Sequence, residues 1–310
     1  MEKCCVLMST YNGEKYISHQ LDSILSQKNI DIDIYIRDDG SKDSTNLIIS
    51  HYMYYYKNVH LIQGENVGVI ESFRLVAEYV FNKCPRYEYY AFADQDDEWL
   101  PLKLSNAIIK IRDISISNEK PILYYSNLKV VDSDLNYLYD RFTKGYISNT
   151  KKQIMSEICV LGCTCVFNYC LLQEYVKTNL NQRIPHDAWI AVLATFLGVI
   201  IYDDNSYILY RQHGNNQSGS VKKGLPMYWG KIKRFKKIFD MDGDYESIAK
   251  EMLANYYNVL DKDDLNILST ISDYRNNFIY RFKLLFTGYI SSGHLFKEIT
   301  RRIRIIFNRL

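Results

Sequence analysis

Three carboxylates in four residues, Asp94-Gln95-Asp96-Asp97, follow directly on the apolar run Tyr89-Tyr90-Ala91-Phe92-Ala93. Carboxylates this close repel one another unless a cation neutralises them. Hard oxygen ligands on a loop suit Mg²⁺ or Mn²⁺, ions that commonly bridge to phosphate oxygens as well. The competing reading is a solvated turn that also caps the helix beginning after Pro101. A second acidic stretch, Asp38-Asp39-Gly40-Ser41-Lys42-Asp43-Ser44-Thr45, closes the run Ile32 to Ile36. Asp43 or Ser44 can cap the next helix, and Gly40 permits a tight turn. That leaves Asp38 and Asp39, which at the carboxyl end of a strand can accept hydrogen bonds from a base N–H or ribose hydroxyls; read alone, the stretch is a turn. In Pro185-His186-Asp187-Ala188-Trp189, Asp187 taken alone reads as the N-cap of the apolar helix Ile190 to Leu197. Tyr210-Arg211-Gln212-His213 runs into the small, polar stretch Gly214 to Gly219. Arg211 can pair with a diphosphate, and His213 is either a metal ligand or a satisfied loop histidine.

The elements that must position these groups show in the periodicity. Short apolar runs at Cys4 to Met8, Ile32 to Ile36, Val59 to Ile62 and Tyr89 to Ala93 read as strands. Between them lie helical patterns: Tyr16, Ile17, Leu21, Ile24 and Leu25, then about Ser44 to Tyr55, then about Ile70 to Phe81, the last preceded by the loop Gly64-Glu65-Asn66-Val67-Gly68. This alternation implies a mostly parallel sheet, helices on both faces and right-handed crossovers. Ligands in such sheets bind outside the carboxyl ends of the strands. Thr10-Tyr11-Asn12, Asp38-Asp39 and Asp94 to Asp97 all fall there. Further strands are expected at Ile122 to Tyr125, Val160 to Phe167 and Val199 to Tyr202. From about Leu225 the chain turns to lysine- and arginine-rich helices, which places a boundary near Gly219 to Gly224 and divides 1–222 from 223–310.

A net charge of +2 over 310 residues gives no global nucleic-acid signal. Seven cysteines without a C-x-x-C pair read as buried thiols of a reducing compartment. A metal cluster of Cys159, Cys163, Cys165 and Cys170 is the alternative, without zinc-type spacing. The opening residues carry no signal-peptide pattern, and no apolar run reaches the roughly 18 residues that span a bilayer, so a cytoplasmic protein is expected. Near the carboxyl end, Leu295, Ile299, Ile303, Ile306 and Leu310 recur at helical spacing beside Phe296 and Phe307. Arg301, Arg302, Arg304 and Arg309 line the other faces, opposed by Glu298. A second basic stretch, Lys231, Lys233, Arg234, Lys236 and Lys237, surrounds Ile232, Phe235 and Phe239. Such helices either lie peripherally on the anionic inner face of a membrane or pack on the catalytic domain or a second subunit.

Taken together, the pieces resemble the family 2 inverting glycosyltransferases of the GT-A fold, over about residues 3 to 220. The motifs are Ser9-Thr10-Tyr11-Asn12-Gly13, Asp38-Asp39-Gly40-Ser41 with Asp43 and Thr45, and Asn66-Val67-Gly68. Phe92 to Trp99, His186-Asp187-Ala188-Trp189, and Tyr210 to His213 with Asn216 and Ser218-Gly219 complete them. Asp-Gln-Asp-Asp-x-Trp and His-Asp-x-Trp look like the bacterial rhamnosyltransferase-like branch, which builds surface polysaccharides. The resemblance implies an α/β fold of GT-A type, a mostly parallel sheet sandwiched by helices, here with a C-terminal helical extension. It implies transfer of a sugar from dTDP-L-rhamnose or a UDP-hexose to a hydroxyl of a lipid-linked saccharide, with Mn²⁺ or Mg²⁺ as cofactor. By the same resemblance Thr10, Tyr11 and Asp39 hold the base, with Asp38 beside them, and Asn12, Asn66 and Gly68 on the donor side. Asp96 and His213 ligate the ion, Asp94 contacts the ribose or the ion, Arg211 meets the diphosphate, and Asp187 is the general base. Two positions depart from the pattern: Ser9, where proline is common, and His186, where many members carry a second acid.

The chemistry needs this set. A diphosphate leaving the anomeric carbon gathers negative charge that a cation and an arginine can stabilise. The attacking hydroxyl must lose its proton on the opposite face, so one carboxylate must stand there. A glycoside hydrolase would not need the Asp cluster at a nucleotide-type edge. A nucleotidyltransferase usually carries a Gly-rich, basic first loop, which Thr10-Tyr11-Asn12-Gly13 lacks. A non-catalytic sugar-nucleotide-binding protein would have no use for Asp96, Asp187 and His213 together.

Overall fold

Strand β1 (Lys3–Thr10) is apolar without alternation from Cys4 to Met8 because both faces of the sheet around it are covered. The computed structural model describes residues 2–114, 120–178, 184–213, 245–307 and 310. After β1 come α1 (Ile17–Leu25), β2 (Asp31–Asp38), α2 (Thr45–Tyr55), β3 (Val59–Gln63), α3 (Val69–Lys83) and β4 (Tyr89–Ala93). Each boundary lies within a few residues of the periodicity reading. Strand β1 pairs in parallel with both β2 and β4, and β2 with β3. The strand order therefore reverses at β1, and the crevice this opens lies at the carboxyl ends of β1, β2 and β4.

The chain continues through β5 (Glu98–Trp99), α4 (Lys103–Ile114), β6 (Ile122–Val131), β7 (Tyr137–Asp140), α5 (Lys151–Ile154), a 3₁₀ turn (Gly162–Thr164), β8 (Val166–Asn168), α6 (Tyr169–Lys177), α7 (His186–Leu197) and β9 (Val199–Arg211). The sheet runs β3-β2-β1-β4-β8-β6-β9-β5, with β7 paired to β6. Beyond β4 it is mixed: β8 is antiparallel to β4 and β6, and β5 is antiparallel to β9. Val160 to Phe167 is not one strand, because Leu161 to Cys165 form the 3₁₀ turn and its flanks before a three-residue β8. Strand β9 runs far past Tyr202, and pairing Trp99 with Ile208 and Glu98 with Leu209 sets its end beside the loop 94–97. Helix α7 is buried almost all round, which its uninterrupted apolar composition requires.

Two compact units divide the chain: Met1–Ser148 with Val160–His213, and Asn149–Cys159 with Gly214–Leu310. The expected boundary at 222/223 and the basic stretch Lys231 to Phe239 lie outside the described residues. The second unit holds α5, α8 (Tyr245–Tyr256), α9 (Lys262–Ser272), α10 (Phe278–Phe286) and α11 (Leu295–Ile306). Two of its helices are capped by polar side chains: Asp261 accepts from the Asp264 N–H (2.8 Å) and Asn277 from the Ile279 N–H (3.0 Å). Lys151 Nζ lies 2.5 Å from Asp264 Oδ1. The stripe read along α11 splits in the structure. Leu310 is buried, and Ile305 packs inward, whereas Leu295, Ile299 and Ile306 are exposed. Arg301 is not a solvated cation but a buried one, donating to Leu284 O (3.1 Å) and Glu298 Oε2 (2.5 Å). No described helix is long and apolar enough to cross a membrane.

Candidate active site

The loops that leave β1 and β2 are laced together. Thr10 lies opposite Asp38 in register, and the Asp39 N–H donates to Thr10 O at 2.8 Å. Asn12 N–H donates to Ser41 Oγ (2.9 Å), and Lys42 N–H to Asn12 Oδ1 (2.8 Å). Gly13 N–H donates to Thr45 Oγ1 (2.8 Å) and Ser44 N–H to Glu14 Oε2 (2.9 Å). Asn12 takes a φ of 49°, in the left-handed region that asparagine tolerates. Asp43, not Ser44, caps α2 with its side chain, accepting from the Thr45 N–H at 3.0 Å. Tyr11 stands exposed at the rim, while Thr10 is buried with its Oγ1 lacking a hydrogen-bond partner.

Asp38 and Asp39 are both buried. Asp38 accepts from Ser41 Oγ (2.5 Å), Ser41 N–H (2.9 Å) and Asn46 Nδ2 (2.9 Å). Asp39 accepts from Arg37 Nη1 (2.5 Å) and from the N–H groups of Val67 and Gly68, both at 2.9 Å. A carboxylate offers about four acceptor positions, so about one remains open on each. Their first effect is to fix the turn and to draw the Asn66 to Gly68 loop against it. Gly40, at φ 80°, is needed there, since a Cβ would sit 3.1 Å from the Asn66 nitrogen.

The acidic loop is clipped to the first loop by one amide. Tyr11 N–H donates to Gln95 Oε1 (2.8 Å) and Gln95 Nε2 donates to Tyr11 O (3.1 Å). Asp96 Oδ2 lies 2.7 Å from His213 Nε2, and the His213 ring stacks on Tyr16 with centroids 5.0 Å apart. Buried Arg211 donates through Nε to Asp96 O (3.0 Å) and through Nη1 to Ser133 O (2.7 Å), with its guanidinium 4.8 Å over Tyr16. Its backbone N–H reaches Asp97 Oδ1 (3.2 Å), so the end of β9 shapes the whole loop.

The electrostatics follow from crowding like charges. Burial first, then the charges of Asp96 and Asp187, push Asp94 up to about 7. Burial and its two acidic neighbours hold Asp97 well above the ordinary carboxylate range. Asp94, Asp97 and Cys163 offer ligand atoms within 4.8 Å of one another, but burial keeps the Cys163 thiol protonated. The cysteine set 159, 163, 165 and 170 forms no such group. Asp96 and His213 are a hard and a borderline donor side by side, of the kinds that suit Mn²⁺ or Mg²⁺, although the donor atoms that converge within 4.8 Å are those of Asp94, Asp97 and Cys163; a cation would relieve the repulsion around Asp94.

Asp187 is not an N-cap; that position is Pro185, and Asp187 lies in the first turn of α7, where the helix dipole favours negative charge. It is partly exposed, whereas His186 is buried against Phe73 (centroids 4.0 Å apart) and Phe92 (5.1 Å), and burial lowers the affinity of its ring for a proton. A Cβ at Gly162 would lie 2.4 Å from His186 Nε2, so that glycine makes room for the ring. Of the pair, Asp187 is the one open to solvent.

Three residues escape a motif reading, Arg37, Tyr16 and Lys103, while Gln95 stands inside the acidic motif without a role assigned to it. Arg37 is buried, reaching Asp39, Ser72 Oγ (3.0 Å) and Glu65 O (3.0 Å); an arginine inside an apolar strand just before two aspartates is its signal. Lys103 is buried with its Nζ 3.5 Å over the Trp99 ring and no hydrogen-bond partner, and burial lowers it to about 8. Tyr16 read only as one apolar position of a helix.

Residues 5–176 match the family model for glycosyl transferase family 2. The dTDP-rhamnosyl transferase RfbG of Shigella flexneri is 31% identical over 228 residues, 69% of this chain and 74% of that protein. The UDP-Glc:alpha-D-GlcNAc-diphosphoundecaprenol beta-1,3-glucosyltransferase WfgD of Escherichia coli is 22% identical over 273 residues, 87% of this chain and 96% of that one. The crystal structure of S. aureus TarS 1-349 in complex with UDP-GlcNAc superposes with a TM-score of 0.58 at 17% identity, covering 99% of this chain and 80% of that one. That likeness shows the fold, the GT-A arrangement with helices at its carboxyl end.

Proposed function

The chain belongs to glycosyl transferase family 2, and from that premise we propose that it is an inverting, cation-assisted transferase acting on a lipid-linked bacterial surface saccharide. What supports this reading is that Asp96 Oδ2 lies 2.7 Å from His213 Nε2 and that Asp94, at the end of β4, feels the charges of both Asp96 and Asp187. Thr10, Tyr11, Asn12, Asp38, Asp39, Asn66 and Gly68 form the nucleotide side. Asp94, Asp96 and His213 would hold Mn²⁺ or Mg²⁺, which when bound stabilises charge on the departing diphosphate. Arg211 fixes the Asp96 backbone and sets a positive charge beside that diphosphate. Asp187 takes the acceptor hydroxyl's proton as its oxygen attacks in line, so one displacement inverts the anomeric centre.

Likeness to RfbG puts dTDP-L-rhamnose first among donors, with a UDP-hexose second; WfgD supports a diphospholipid-borne acceptor. With such an acceptor the protein would work at the inner membrane face; no described helix is long and apolar enough to cross a membrane.

The test is release of nucleoside diphosphate from dTDP-L-rhamnose, UDP-glucose and UDP-GlcNAc as the sugar passes to a supplied diphospholipid-linked saccharide or, slowly, to water, with Mn²⁺ and with EDTA, for the native chain and Asp96→Asn. Release with one donor, abolished by chelator and by the substitution, is expected. Undiminished release in EDTA would remove the cation from the reading. No release from any donor would remove the transferase.

A further inference from the structure

Helix α10 is amphipathic in the outward sense. Phe278, Ile279, Phe282 and Phe286 are 79%, 65%, 49% and 66% exposed, while Leu284 is fully buried. At about 100° of rotation per residue, the four exposed side chains fall within an arc of about 100°, with Leu284 roughly opposite. A helix that only needed packing would turn that arc inward. Helix α11 repeats the arrangement, with Leu295, Ile299, Ile306 and the adjoining Phe307 exposed and Arg301 and Ile305 buried. The two helices pack together, and Arg301 donates to Leu284 O across their buried sides, so both outward faces belong to one helical pair.

What covers these faces is indicated by the charges at their margins. Arg281 and Lys283 border the α10 arc on its two sides, and Arg302 borders that of α11. No acid occurs in α10; the one in α11, Glu298, is paired with Arg301. Lys283 Nζ also lies 5.8 and 5.6 Å from the ring centroids of Tyr280 and Tyr289. Phenylalanine and isoleucine outward, with cations at the margin, is the layering of a bilayer interface.

We propose that α10 and α11 form a monotopic anchor in the headgroup region of an anionic bilayer. Phe278, Ile279, Phe282 and Phe286 enter the acyl boundary, and Lys283 and Arg302 meet lipid phosphates. The anchor rests on the lipid-linked acceptor proposed above, and it gives α10, which the sequence reading passes over, the leading part.

The test is flotation of the full chain with vesicles of phosphatidylcholine alone or mixed with phosphatidylglycerol. A Phe282→Glu/Phe286→Glu variant at exposed positions and a Lys283→Gln/Arg302→Gln variant, at a half-buried and an exposed position, run beside it. Sedimentation velocity without lipid and slow donor hydrolysis accompany each sample. The expected result is flotation that needs phosphatidylglycerol, falls at least tenfold in the Phe variant and becomes weaker and less salt-sensitive in the basic one, with donor hydrolysis unchanged. Native protein left in the soluble fraction at every lipid composition overturns the anchor while leaving the transferase reading standing. A native dimer that the Phe variant dissociates assigns the face to a second copy instead. Flotation without hydrolysis of any donor keeps the anchor and defeats the transferase.

Discussion

Cation binding should depend steeply on pH around neutrality, because the ion must displace a proton held by the crowded acids. Asp94 is pushed up to about 7 by burial and by Asp96 and Asp187. With a value near about 7, roughly a tenth of Asp94 is ionised at pH 6 and roughly nine tenths at pH 8. Apparent Mn²⁺ affinity should thus weaken about tenfold from pH 8 to pH 6, about 1.4 kcal/mol, with proton release greatest at the acidic end. The sign for stability runs the other way without metal. A carboxyl whose folded value is raised contributes fully below its unfolded value and loses that contribution as pH rises through about 7. Mn²⁺ should consequently raise Tm more at pH 8 than at pH 6. Calorimetric titration at pH 6, 7 and 8, in two buffers of different ionisation enthalpy, measures both affinity and protons. Asp94→Asn should bind more weakly at pH 8 and flatten the dependence. Affinity constant within twofold across that range, or an unchanged slope in Asp94→Asn, would refute the argument.

Asp187→Asn should lower kcat by about 10²–10⁴-fold with donor affinity little changed; loss of donor binding at a normal rate per bound donor would make Asp187 structural. Lys103→Met should raise Tm by a few degrees at pH 7, since an unpartnered buried cation is removed. Lysine's folded value, about 8, lies below its usual 10.5, so its stability is full above that value and lost as pH falls through 8. The gain should therefore vanish by about pH 10.5; a lower Tm for the variant at pH 7 would contradict the assignment. Titration with dTDP and with UDP should favour dTDP, and a clear preference for UDP would retire the rhamnose donor.

The parallel half of the fold is readable because β1, β2 and β4 are buried on both faces and their helices are short and regular; Thr10, Asp38 and Asp94 sit at their ends for that reason. What periodicity could not show is the mixed half. A three-residue β8 carries too few side chains for a period, and β9 is partly exposed along most of its length. That long strand is what carries Arg211 and His213 to the acidic loop. Asp187 misled as a cap because a carboxylate in a first helical turn serves the helix dipole from several adjacent positions. On α11, spacing identified the stripe but not its direction, because a helix with two unlike faces can bury either.

Gly13 and Gln95 share one small volume: a Cβ on the glycine would lie 2.4 Å from the amide oxygen that grips Tyr11. Over evolutionary descent this makes the order of substitutions matter. A lineage that first gains a side chain at Gly13 must break the clip between the loop after β1 and the acidic loop at once, and selection meets both defects together. Shortening Gln95 first gives up only the clip and leaves Gly13 untouched, after which a larger residue there is admitted. Drift away from this pair should accordingly pass through Gln95, and a return to glutamine is closed to any descendant that has since filled Gly13.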